Sequence, residues 1–368
     1  MRKRRGLYVA LIAMIVLVGG LGFIGTARGA SDPADPPDAI EGTYSDLVQV
    51  REHDSGALDI VVGPVKLPAG NTGYRTPIQV ASLPGSGWLH GFSWFVHDSQ
   101  GNRLSDDLLH HVNLIDPDRR ELFSPTARRV FAAGRETGPQ MLPRFIGYPL
   151  TEGTRFIVVA MFSNPEPEEK EVYLTVRLQR SPQRRLFNPL PMFPFHMDVM
   201  GPVGEKSFPL PPGKAVQGWE GSPAVDGRIL GLGGHAHDYA TLLKLEDLTT
   251  GKVLYSVTPE GSDGRVTAVP VAMPWKRGGI RIYKDHRYRV TVEYNNTTDQ
   301  ATPHGGMGVV GGVVLSSETW PVLDKAHPDY VTDLQNVVTA PFRGGGHGHG
   351  GHSAEGQSAQ GSQPSHHH

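Results

Sequence analysis

The feature that most limits what this chain can become is the shortness of its apolar runs. From Tyr44 onward they alternate with polar residues and are cut by glycine, proline, asparagine or aspartate before a helix has room to form. Leu58-Asp-Ile-Val-Val, Thr76-Pro-Ile-Gln-Val, Gly87 to His97, Leu108-Leu-His110-His111-Val-Asn-Leu-Ile, Arg155-Phe-Ile-Val-Val-Ala-Met-Phe and Glu171-Val-Tyr-Leu-Thr-Val-Arg-Leu all read as strands. Turn sequences such as Ser99-Gln-Gly-Asn and Asn164-Pro-Glu-Pro separate them. A convincing amphipathic helix is possible only at Pro328 to Val337. With 46 glycines and 31 prolines in 368 residues, the expectation is an all-β protein: two antiparallel, jelly-roll-like β-sandwich domains in tandem.

Segment 181–195 carries four prolines and breaks the strand rhythm, so the domain boundary is expected there. The first sandwich is expected over 44–187 and the second over 188–322. Residues 323–368 form a C-terminal segment that ends in a Gly- and His-rich tail containing His347, His349, His352, His366, His367 and His368. That tail is too simple in composition to build a core, and it reads as a weak metal scavenger or an inert linker. At the other end, Met1-Arg-Lys-Arg-Arg precedes an apolar run from Leu7 to Ile24 and small residues around Ala27 and Gly29. This is the pattern of a secretory signal over 1–30, or of an N-terminal membrane anchor, and either form exports the body. An acidic, proline-rich linker occupies 31–43.

A formal net charge of -2, with no basic patch beyond the first five residues, excludes a nucleic-acid-binding role. The absence of cysteine excludes disulfides, thiolate metal sites and thiol nucleophiles. Any metal must therefore be held by His, Met, Asp or Glu, and in an exported protein a His and Met set points to copper.

Three stretches bear on such a site. Gly231-Leu-Gly-Gly-His235-Ala-His237 lies within a strand pattern, where residues two apart share a face, so His235 and His237 form a chelating pair. The alternative is two histidines on a solvated face. His110 and His111 are adjacent, so a regular strand would send them to opposite faces, and they can serve one metal only at a bulge or strand end. Gly305-Gly-Met307-Gly offers a thioether with free backbone approach, a soft ligand suited to Cu(I). His304 is a further ligand, a supporting group or a loop residue. His90 and His196 read as structural or supporting, and His53, His97, His286 and His327 as surface.

Over roughly 45–318 the order and spacing of these stretches resemble the copper type II, ascorbate-dependent monooxygenases. That family includes the peptidylglycine α-hydroxylating and dopamine β-monooxygenases. The words that carry the resemblance are Leu109-His110-His111-Val-Asn-Leu, His235-Ala-His237, and Tyr294-Asn-Asn-Thr-Thr-Asp followed by Gly305-Gly-Met307-Gly. The resemblance implies two separated coppers. An electron-transfer copper would be on His110, His111 and a later first-domain histidine, and an oxygen-activating copper on His235, His237 and Met307. It also implies ascorbate or another reductant, and a small-molecule or peptide substrate whose C–H bond is hydroxylated. The chain departs from the pattern where Val158-Val-Ala-Met161-Phe162-Ser has no histidine, leaving Met161 or His90 to stand in. The stapling cysteines of the animal enzymes are missing, and Val313 is a second possible match to the methionine. The rival readings are a copper-buffering envelope protein without turnover and an adhesion or glycan-binding module.

Overall fold

The structure is a computed structural model that describes residues 47–183 and 188–339. The signal or anchor over 1–30, the linker and the His-rich tail lie outside the described residues. The fold is all-β. The one helix with an amphipathic pattern, Pro328–Thr339, forms where expected, with proline opening its first turn.

The largest sheet has ten strands. Its order is Val48–Glu52, Leu58–Leu67, Lys170–Pro182, Gly87–His97, Ile146–Leu150, Leu190–Asp198, Gly308–Leu315, Gly227–Ala236 and Ile280–Ile282, with Gln140–Met141 added beside Gly87–His97. Strands from both halves of the chain therefore share one sheet. They join where Leu190 and Pro191 run parallel to Ile146 and Gly147, while the other strand pairs are antiparallel. A five-stranded sheet contains Asn71–Arg75, Gln79–Ser82, Arg155–Asn164, Leu109–Arg120 and Ala127–Gly134. A four-stranded sheet contains Gly213–Gly221, Tyr288–Asn296, Ala240–Asp247 and Lys252–Val257.

Two large cores follow from this layering. One is filled mainly by the first half, with Leu58, Val96, Val112, Leu114, Phe156, Phe162 and Val176 fully buried. The other is filled mainly by the second half, with Ile229, Leu243, Val290, Val292 and Val310. Each such side chain contributes about 1.5–3 kcal/mol of apolar burial. A one-residue slip of any of these strands would turn its core set outward, which fixes the register that places the histidines.

A smaller core clamps the C-terminal helix to the outer face of the five-stranded sheet. Tyr330 and Leu334 pack there with Leu323 against Ile78, Ile115 and Ile157. Beside them, Asp333 receives both terminal nitrogens of Arg129, at 2.5 and 2.7 Å, and the two side chains are largely removed from water.

Candidate metal centre

The strand Leu109–Arg120 explains how two adjacent histidines come to serve one place. Leu109 and Val112 are both fully buried although they are three residues apart, which strict alternation forbids. The conflict is resolved by a bulge. Against the strand Arg155–Asn164, Met161 pairs with His111 and Phe162 pairs with Leu109, which makes His110 the extra residue of the bulge. Released from the pleat, His110 turns toward His111, and their Nδ1 atoms lie 2.8 Å apart. On its other side His111 pairs with Gly134, the last residue of Ala127–Gly134.

The second pair comes from the end of Gly227–Ala236, which passes between Gly308–Leu315 and Ile280–Ile282. His235 and His237 do lie close together, their rings 5.2 Å apart and nearly perpendicular. His237 sits just past the strand end. Its N–H meets the Tyr294 hydroxyl at 3.2 Å and the Met307 carbonyl at 3.4 Å. Tyr294 also takes the Met307 N–H at 2.9 Å and donates to the Met307 carbonyl, so one buried phenol ties the backbones of His237 and Met307 together. Burial raises the pKa of that phenol, keeping it a donor. Tyr239, two residues on, adopts the left-handed conformation at φ 70° and is held by its N–H bond to Gly264.

The expectation that the first histidine pair lies across a cleft from the second is corrected. His111 Nε2 is 3.1 Å from His235 Nε2. His111, His235 and His237 each bring a ring nitrogen within 4.8 Å of the other two, the only such metal-ligating group among the described residues. The rings of His110 and His237 are 6.3 Å apart. The separation failed because the strands do not end in separate bodies. The start of Leu109–Arg120, in the five-stranded sheet, and the end of Gly227–Ala236, in the ten-stranded sheet, meet at one place.

Glu136 completes the arrangement. Its Oε1 accepts the His235 Nδ1–H at 2.8 Å, which leaves Nε2 of His235 directed at the cluster. Burial alone would raise the Glu136 carboxyl, but the charge and hydrogen bond of His235 hold it down at about 2. For His235, burial pulls the other way and is again outweighed by Glu136, so its pKa is raised. His111 is kept neutral, well below the ordinary imidazole range, by burial and then by repulsion from His110, His235, His237 and Arg135. Gly134 makes room for this: a Cβ there would stand 2.6 Å from Glu136 Oε2. A cavity of about 320 Å³ opens beside Glu136, with Arg103, Arg135 and Arg265 in its wall.

Among the other candidates, His90 is spent on structure, with Nδ1 on the Ile146 carbonyl and Nε2 on Ser181 Oγ, both at 2.7 Å. It cannot replace the missing histidine without breaking both bonds. Met161, in contrast, is the direct cross-strand neighbour of His111. His304 bonds Ser207 Oγ at 3.1 Å and stands apart from the cluster. His196 bonds the fully buried Glu121 at 3.0 Å. His286 is not a simple surface residue, since it bonds Asp247 at 2.8 Å and stacks near Tyr288. Sequence reasoning missed Glu136. The available signal was an acid two residues beyond a strand-ending glycine.

The chain matches no protein-family model and no curated protein. Among solved structures, PNGF-II aligns at 13% identity with a TM-score of 0.27, over 76% of this chain and 63% of that one. The chain thus spans less than two thirds of that protein's length. A structure of infectious bursal disease virus, Gx strain, aligns at 10% identity and TM-score 0.23 over 76% of each chain. The mavirus major capsid protein aligns at 8% identity and TM-score 0.22 over 88% of this chain and 98% of that one. At such scores these likenesses carry no argument about fold or function.

Proposed function

We propose that this protein is an exported copper-binding oxidoreductase that resembles the copper-dependent monooxygenases, with its copper held by His111, His235 and His237. The observation that carries the reading is the approach of His111 to His235 from the other half of the chain, with a buried carboxylate behind His235. A carboxylate on the far nitrogen of a histidine is the usual partner of a metal-ligating imidazole: it fixes the tautomer and raises the basicity of the donor atom. The donor set fits the metal. Three imidazoles without a thiolate suit copper or zinc, and for a given nitrogen site copper(II) binds more tightly than zinc.

Copper, when bound, would supply one-electron exchange and dioxygen chemistry that no side chain offers. The chain's own work is positional. Glu136 orients His235, the Tyr294 hydroxyl holds the backbone of His237 against Met307, and the bulge at His110 aims His111 at the pair. Met307 remains the candidate thioether donor of this centre. Turnover requires ascorbate or another reductant and a small-molecule or peptide substrate. Residues 1–30, as a signal peptide or a membrane anchor, would direct export, and membrane contact would run through this segment.

The test uses the full-length protein with its six tail histidines replaced by alanine. Purified from copper-replete cells, it should retain copper, and it should consume oxygen when ascorbate is added. Copper without oxygen uptake would reduce the reading to a copper buffer, and absence of copper would overturn it.

A further inference from the structure

His111 presents a different ring nitrogen to each of its neighbours. Its Nδ1 lies 2.8 Å from His110 Nδ1, and its Nε2 lies 3.1 Å from His235 Nε2. Two imidazole nitrogens bound to one metal at about 2.0–2.1 Å and at roughly right angles are about 2.9 Å apart. Both gaps therefore have the bite of a chelate as well as the length of a hydrogen bond. The rings support the same reading, because His111 stands nearly perpendicular to His110 and to His235, at 73° and 83°.

We propose that His111 bridges two metal sites, one formed by His111 Nε2 with His235 and His237, the other by His111 Nδ1 with His110 Nδ1. The proposal rests on the copper reading above and extends it from one metal to a pair. Ions on either side of one imidazole ring would stand roughly 6 Å apart, two metal–nitrogen bonds plus the ring. For the second site the register supplies a further donor. Met161 is paired directly with His111 on the same face of the sheet, and a thioether there suits Cu(I). The bulge at His110 is the backbone device that brings both Nδ1 atoms to one point, a geometry no regular strand gives to adjacent residues.

Proton balance is simple. Neutral His111 carries one ring N–H, and seating metal on both nitrogens releases that proton to water. The imidazolate left behind offsets part of the added metal charge, and no electron changes hands in this step.

The experiment is copper(II) titration of the full-length chain with its tail histidines replaced by alanine, followed by low-temperature electron paramagnetic resonance. Wild type should take up two equivalents, with a signal that integrates to well under the copper present because the two spins couple through the ring. His110→Ala, which leaves the bridge residue in place, should fall to one equivalent with a full signal. His111→Ala should lose the coupling. Two equivalents with full intensity in wild type, or coupling that persists in His111→Ala, would overturn the bridge. A single equivalent that disappears in His235→Ala would remove the bridge and leave the copper centre standing. No copper in any variant would remove both.

Discussion

Glu136→Gln tests the reasoning about the centre through a property that needs no metal. The substitution keeps the shape of the side chain and removes its charge. A carboxyl held at about 2 instead of its ordinary 4.5 corresponds to stabilisation on the order of 3 kcal/mol. Because the folded pKa of Glu136 is depressed, that contribution is present above the unfolded value and is lost as pH falls from 4.5 toward 2. His235 has the opposite sign. Its folded pKa is raised above 6.5, so its share is complete below 6.5 and is lost as pH rises through the folded value. The cost of Glu136→Gln should therefore peak between pH 4.5 and 6.5 and decline on both sides. Urea unfolding of metal-free wild type and variant across that range measures it. The same variant should bind copper about 10–100-fold more weakly, the usual cost of losing a ligand's hydrogen-bond partner. A stability difference that is flat with pH would show that Glu136 and His235 do not act as a charged pair.

Gly134→Ala should mimic this loss without touching either charge. The added methyl meets Glu136 Oε2 at 2.6 Å and displaces the carboxylate from His235, so copper affinity should fall and urea unfolding should show the same pH-dependent loss of stability as Glu136→Gln. Asp333→Ala strands the buried Arg129 guanidinium and should cost about 3–5 kcal/mol in urea unfolding, whereas the double variant Arg129→Met with Asp333→Ala should cost less.

The all-β class and the C-terminal helix were legible in the sequence because both rest on local periodicity. Alternating runs cut by glycine and proline permit little else, and Pro328 to Val337 was the one segment with a helical stripe. The two-residue spacing also placed His235 beside His237, since pleat geometry is local. What the sequence did not carry was the meeting of His111 with that pair. It depends on a sheet that continues from Ile146–Leu150 into Leu190–Asp198 and Gly308–Leu315, a non-local pairing with no signature in any single strand. The bulge was partly legible, because two core residues three apart, Leu109 and Val112, cannot both face inward on a regular strand. Glu136 was hidden for a different reason: its partner lies 99 residues away, and an acid after a strand end is ordinarily just a solvated loop residue.

The central claim, that His111, His235 and His237 hold one copper, is tested most directly by anomalous diffraction at the copper edge from crystals of the copper-loaded protein. The account predicts an anomalous peak about 2 Å from His111 Nε2, His235 Nε2 and a ring nitrogen of His237. Copper found only on the tail histidines or elsewhere on the surface, with His235 still bonded to His111 by a ring N–H, would contradict it.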